Sequence, residues 1–223
     1  MSLALKRHES LSYADAVDII GGYSNPSKMP WISWSLDARN CNNGGRLHKV
    51  EGSVCHKCYA LKGNYRFNNV RRAQARRRAA LDHPRFVEAF IYVLNTRTVL
   101  DHEDRFRWFD SGDLPDFETL LKILQIAEGT PTVRHALFTK EYGLLRKLRL
   151  LGYGIPSNLF IRPSFPMVGH MWAGDRVPGD TGQQATVGLS DPPHTQCEAA
   201  LQDNKCLDCD ACWRLGSINF HKH

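Results

Sequence analysis

Three cysteines at every third position, Cys206, Cys209 and Cys212, constrain this chain more than any other stretch, because that spacing turns three sulfurs toward one centre. Cys197 extends the run to C-x8-C-x2-C-x2-C, an array suited to an iron–sulfur cluster. A second group, Cys41, Cys55 and Cys58, lies far upstream, and these seven are all the cysteines of the chain. An odd number cannot be fully paired in disulfides. No apolar signal core follows Met1 to Ser10 and no run of 18 apolar residues occurs, so the expectation is a cytosolic chain without membrane attachment. Thiols there stay reduced, and a cysteine-rich chain is expected to bind metal.

At 223 residues and 42% hydrophobic content the chain can bury one sizeable core, so a single domain over 1–223 is expected. Ala14, Val17 and Ile20 at helical spacing, stopped by Gly21-Gly22, predict a helical cap within residues 1–28. Met29 to Asp37 alternates large apolar and small polar residues, the period of a strand. Further strands are predicted at 104–110, 133–139, 158–165 and 185–189, the last of them. Helices are predicted at 67–81, 85–100, 117–128 and 141–151. Such alternation argues for βαβ units and a parallel sheet. The expected architecture is α/β, a partial or irregular TIM-like (β/α) barrel over 29–189 with a cysteine-rich tail, 190–223, of little regular structure. A doubly wound open sheet is the alternative.

In a parallel barrel the functional groups gather at the carboxyl ends of strands. Cys41, Cys55 and Cys58 follow the first predicted strand, Asp110 to Asp113 end the second, Lys140 follows the third and Arg162 lies near the end of the fourth. Lys140 and Arg162 are therefore candidates to hold an anionic ligand. Three thiolates leave one iron of a cluster open, whereas four close it. The tail leaves from the end of the last predicted strand, so both cysteine groups are expected to reach one site; one shared cluster is the other arrangement, and a 4Fe-4S cluster is favoured over 3Fe-4S. Cys55-x2-Cys58 with two tail cysteines would equally make a structural zinc site, and Cys41 has the alternative of simple burial. Trp31, Trp34, Trp108, Phe109 and Trp213 read as core.

The net charge is +6, with Arg66, Arg71, Arg72, Arg76, Arg77 and Arg78 concentrated in one predicted helix and the residue just before it. This Arg66–Arg78 segment reads first as a solvated face packed through alanines, and otherwise as a surface for nucleic-acid phosphates.

Two resemblances add to this reading. The three-cysteine loop followed by Ser111-Gly112-Asp113-Leu114-Pro115 resembles the layout of radical S-adenosylmethionine enzymes; the resemblance implies that Ser111, Gly112 and Asp113 contact S-adenosylmethionine. More of the chain resembles the bacteriophage gene-product-88-like family, through Cys55-His56-Lys57-Cys58-Tyr59, Trp108-Phe109-Asp110-Ser111-Gly112-Asp113, Cys206-x2-Cys209-x2-Cys212-Trp213 and Ile218-Asn219-Phe220. It implies a viral iron–sulfur protein in a bacterial host cytoplasm and assigns no reaction. The expected function is redox or radical chemistry with a small molecule or a host redox partner. The alternative is a zinc- or cluster-stabilised module that engages a host protein or nucleic acid without catalysis.

Overall fold

The computed structural model describes residues 11–222, and it is organised around a four-stranded sheet in which every strand is parallel to its neighbours. Helix α1 (Tyr13–Ile19) precedes the sheet, whose strands are β1 (Ser33–Trp34), β2 (Arg105–Trp108), β3 (Arg134–Thr139) and β4 (Leu159–Pro163), side by side in chain order. In register, Trp34 lies opposite Trp108, Trp108 opposite Leu137, and Leu137 opposite Ile161. Parallel neighbours need long crossovers, and helices supply them. Between β1 and β2 run α2 (Asn42–Leu47), α3 (Asn68–Ala80) and α4 (Phe86–Asp101); α5 (Phe117–Glu128) joins β2 to β3, and α6 (Tyr142–Leu150) joins β3 to β4.

Local chemistry sets the element ends. Ser12 Oγ accepts the Asp15 N–H at the start of α1, and the chain leaves that helix through Gly21 and Gly22, both in the left-handed region that glycine adopts freely. Asp116 caps α5 by accepting the Thr119 N–H at 2.8 Å. That helix then buries Leu120, Ile123, Leu124 and Ala127, the spacing of one helical face.

The helices cover only one side of the sheet. Trp34, Phe106, Trp108, Leu137 and Ile161 point toward them and pack with Phe86, Phe90, Leu120 and Ile123 in the main core. The opposite side is covered by the carboxyl-terminal part of the chain. There β5 (Ala185–Val187), β6 (Thr195–Gln196) and β7 (Ile218–Phe220) form a second all-parallel sheet in the order β5-β7-β6, joined to the first through a bridge between Ser164 and Ala185. Trp31, Ala136 and Phe138 meet Trp213, Ala185 and Ile218 in a second core. The Trp213 indole N–H donates to the Phe106 carbonyl at 2.9 Å, tying residue 213 to the middle of β2.

The architecture is therefore mixed α/β with parallel sheets, and among the described residues no closed barrel forms. Two expectations need correction. The strand at 185 is not the last, because the tail contributes β6 and β7; strands of two or three residues leave no periodic signal to read. The first strand pairs only at Ser33–Trp34 rather than over 29–37, although residues 31–36 are all buried. Its alternation arises because Ile32, Trp34 and Leu36 enter the main core while Trp31 enters the other. Ser33 and Ser35 are satisfied by Asp110 and Arg77. The amino-terminal ten residues of the expected cap, including those that bear on a leader, lie outside the described residues.

Candidate functional site

Cys41 leaves β1 through a short 3-10 turn, Ala38–Asn40, and starts α2. That helix is pinned across the carboxyl ends of β2 and β3. The Asn43 N–H donates to Glu141 Oε1 at 2.9 Å and its side-chain amide to the Lys140 carbonyl at 2.7 Å, while the Asn42 amide reaches the Pro115 carbonyl. Farther along, Ser53 bridges Met167, and the Val54 N–H donates to the Pro166 carbonyl, so the Cys55–Cys58 turn is anchored to the segment after β4. Gly44 marks where the two parts meet. A Cβ there would lie 2.9 Å from Cys41 Cβ, 3.5 Å from Cys41 Sγ and 3.7 Å from Cys55 Sγ.

Burial, then the charges of Asp113, Cys58, Cys55 and Glu141, raise the Cys41 thiol pKa. Burial also raises that of Cys55, against the pull of Lys140. The three upstream cysteines thus share one neighbourhood with Asp113, Lys140 and Glu141. None is in a disulfide.

The Ser111-Gly112-Asp113 turn sits beside them, and its side chains are taken up by the protein. Ser111 Oγ donates to the Leu36 carbonyl at 3.0 Å. Gly112 has φ +79°, and a Cβ on it would fall 2.7 Å from that same carbonyl oxygen. Half-buried Asp113 accepts from Thr139 Oγ at 2.6 Å and from the backbone N–H groups of Lys140 and Leu114, both at 2.8 Å. The turn thereby clasps β2 to the ends of β1 and β3. Just before it, Phe109 adopts φ 54°, a costly conformation for an aromatic residue. Asp110 accepts from Ser33 and Tyr65.

The four tail cysteines collect on the opposite face of the sheet. Cys197, Cys206 and Cys212 pack at the edge of the second core. Between Cys206 and Cys209 the chain turns sharply, with Leu207 at φ 47° and the Cys209 N–H donating to the Cys206 carbonyl. Burial raises the Cys212 thiol to about 11, opposed by Arg107 and Arg162 and reinforced by Cys197 and Cys206. Burial likewise raises Cys197 and Cys206, and the charge of Cys209 acts on both. Arg162 is fully buried and donates to the carbonyls of Gly216, Cys212, Ala211 and Arg214. Asp210 adds ion pairs to Arg105, Arg134 and Arg214. As placed, no three His, Cys, Asp or Glu side chains among the described residues are grouped to grip a single metal ion.

A model of one protein family, described as Gene product 88, matches residues 7–215, nearly the whole chain. The chain belongs to the gene product 88 family. No curated protein and no solved structure matches it.

In this gene product 88 protein the seven sequence-predicted cysteines fall into two sets, three at the carboxyl ends of the main sheet and four under the tail. The expectation that both sets reach one site is therefore corrected: the tail set lies with the second core, away from the first set's neighbourhood, because the tail turns under the sheet after β5. Lys140 stands with the first set and Arg162 with the second. His56 is exposed, its ring directed at the His48 carbonyl. Trp31, Trp34, Trp108, Phe109 and Trp213 are core residues, as expected. No helix among the described residues of the gene product 88 chain is long and apolar enough to cross a membrane.

Sequence reasoning missed Arg107. Its guanidinium lies 4.0 Å over the Phe138 ring, its Nε is buried with no hydrogen-bond partner, and its charge reaches Cys197, Cys206 and Cys212 on one side and Tyr59 and Tyr65 on the other. A signal existed in the alternation of β2. Phe106 and Trp108 take the helix side, so Arg105 and Arg107 must face the tail.

Proposed function

We propose that this protein is an iron–sulfur protein that carries out redox or radical chemistry at the carboxyl ends of its main sheet. The observation that carries the reading is the meeting of two free thiols, Cys41 and Cys55, at Gly44 in a loop pinned over β2 and β3, with Cys58 near enough for its charge to act on both. On this reading those three hold a 4Fe-4S or 3Fe-4S cluster, and Cys197, Cys206, Cys209 and Cys212 hold a second one. When bound, such clusters supply single electrons, and a three-thiolate site leaves an iron free for a ligand. Lys140 offsets thiolate charge at the first set, and Arg107 and Arg162 do so at the second. Glu141 and Asp113 act as positioning residues, holding α2 and the Ser111–Asp113 turn against β3. The four strands in chain order, continued at Ser164 by β5, are read as part of an irregular (β/α) barrel. S-adenosylmethionine is the first small molecule to test.

The tight Cys206–Cys209 turn favours a second reading, a structural zinc site in a module that binds a host protein or nucleic acid without catalysis. Anaerobic purification followed by iron, acid-labile sulfide and zinc analysis separates the two. A brown protein is expected that loses part of its iron when Cys41, Cys55 and Cys58 are changed to Ser, part when Cys206, Cys209 and Cys212 are changed, and nearly all when both sets are. A colourless zinc protein, or iron indifferent to both sets, would overturn the proposal. Reductive cleavage of S-adenosylmethionine by the loaded protein would assign the radical branch.

A further inference from the structure

The arginine helix is a distinct surface, remote in chemistry from the thiols. Between Glu51 and Asp82 the chain has no acidic residue and eight Lys or Arg. The structure divides the arginines. Arg77 is buried and committed to the fold, donating to the Gly22 carbonyl and to Ser35 Oγ. Its neighbours are arranged otherwise. At 100° per residue, Asn68, Ala75 and Ala79 run down the centre of the exposed side of α3, all solvent-facing. Arg71 and Arg78 flank this row on one side, Arg72 and Arg76 on the other. The small residues make a floor and the guanidiniums make two walls, spanning about 10 Å along the axis from Arg71 to Arg78.

Among the described residues no carboxylate is ion-paired with Arg71, Arg72, Arg76 or Arg78, and Arg71 Nε is buried with no hydrogen-bond partner. The furrow continues into a shallow depression where Arg39, itself ion-paired with Asp37, adjoins Arg71 and Arg72. Too open to enclose a small anion, it suits an extended polyanion laid along it. At its head stands Phe67, 57% exposed, one turn before Arg71 on the same strip. An aromatic ring left in water beside unpaired guanidiniums offers a base a stacking face while the arginines take the phosphates.

We infer that the exposed side of α3, with Phe67 at its head, binds single-stranded nucleic acid through stacking and backbone phosphates. This holds whether or not the thiols carry iron. The test is fluorescence anisotropy with the purified full chain and a labelled oligo-dT of about twelve nucleotides, within the site sizes such surfaces cover. Binding is expected to weaken steeply with salt. Changing Arg71, Arg72 and Arg76 together to Gln should flatten the log–log salt slope by about 2, since each phosphate contact on a single strand contributes about 0.7. Replacing the same three by Lys should restore it. Phe67→Ala should weaken binding by about 5- to 150-fold with the salt slope kept. Unchanged circular dichroism in each variant shows that the fold is intact, as these side chains lie outside both cores. No salt-dependent binding, wild-type affinity in the Gln variant, or duplex bound as tightly as the single strand would overturn the inference. So would competition by polyglutamate equal to that by unlabelled oligonucleotide, which would assign the surface to an acidic protein.

Discussion

Arg162→Met removes the bolt that holds the tail under the sheet. The wild-type guanidinium is fully buried and donates at 2.8 Å to Gly216, at 2.7 Å to Cys212 and at 3.3 Å to Ala211, with a further bond to Arg214. Burial pulls its pKa down to about 10, which still leaves it charged at neutral pH. Methionine keeps much of the apolar stem and supplies no donor, so several carbonyls lose their partner together. Hydrogen bonds to a charged group contribute roughly 1.5–3 kcal/mol each, and breaking a buried charged network typically costs about 3–5 kcal/mol in all. Against a total stability of about 5–15 kcal/mol that is a large share. At about 2–4 °C per kcal/mol for a chain of this size, melting should fall by roughly 6–20 °C. Arg162→Lys, which reaches fewer carbonyls, should fall in between. Calorimetry reads the melting temperature, and trypsin cleavage after exposed Arg214 reads release of the tail, so the Met variant should be cut faster at that bond. A melting temperature within about 2 °C of wild type, with unaltered cleavage, would refute the reasoning.

Two further outcomes are expected. His135 is buried on β3; Trp108 Nε1–H donates to its Nδ1, its Nε2 bonds to Thr130 Oγ, and burial holds its pKa down to about 3. The unfolded chain therefore binds a proton that the native state refuses, over the window from about 6.5 down to about 3. Stability is full above that window and falls by about 1.4 kcal/mol per pH unit within it. Denaturant titrations at pH 4 to 6 should show His135→Gln with a shallower slope by that amount, and equal slopes would rule the account out. Gly44→Ala places a methyl group 2.9 Å from Cys41 Cβ and against both sulfurs. It should cut iron content at least as far as Cys41→Ser does, measured by iron analysis on anaerobically purified protein, while Gly45→Ala, where a Cβ meets open space, leaves it unchanged.

The parts legible in the sequence were those with a long period. Helix α5 announces itself by Leu120, Ile123, Leu124 and Ala127 behind the Asp116 cap, and its observed bounds match the expected ones. The parallel order of β1 to β4 follows from the helices that separate them. Helix α2 was not legible, because Asn42-Asn43-Gly44-Gly45 has poor helical propensity and is held by Glu141 and Lys140, nearly a hundred residues away. The tail strands escaped for the same reason, their registry being set by β5 and the Arg162 network rather than by their own pattern. Spacing alone grouped the cysteines as three and four, but the expectation that both groups reach one site failed, because the tail crosses to the other side of the sheet before its cysteines are placed. It could not reveal that the Ser111–Asp113 turn spends its polar groups on Leu36, Thr139 and Lys140, since such partners are defined only once β1, β2 and β3 are in register.

Because the second side of the sheet is completed by residues that follow β2 by more than a hundred positions, loop closure there is entropically late. An intermediate with the four strands paired and the tail undocked presents Trp31, Phe138 and the Arg107 guanidinium to solvent, a sticky, cationic surface. Self-association should therefore compete with refolding most strongly at high protein concentration, in proportion to the lifetime of that half-covered state.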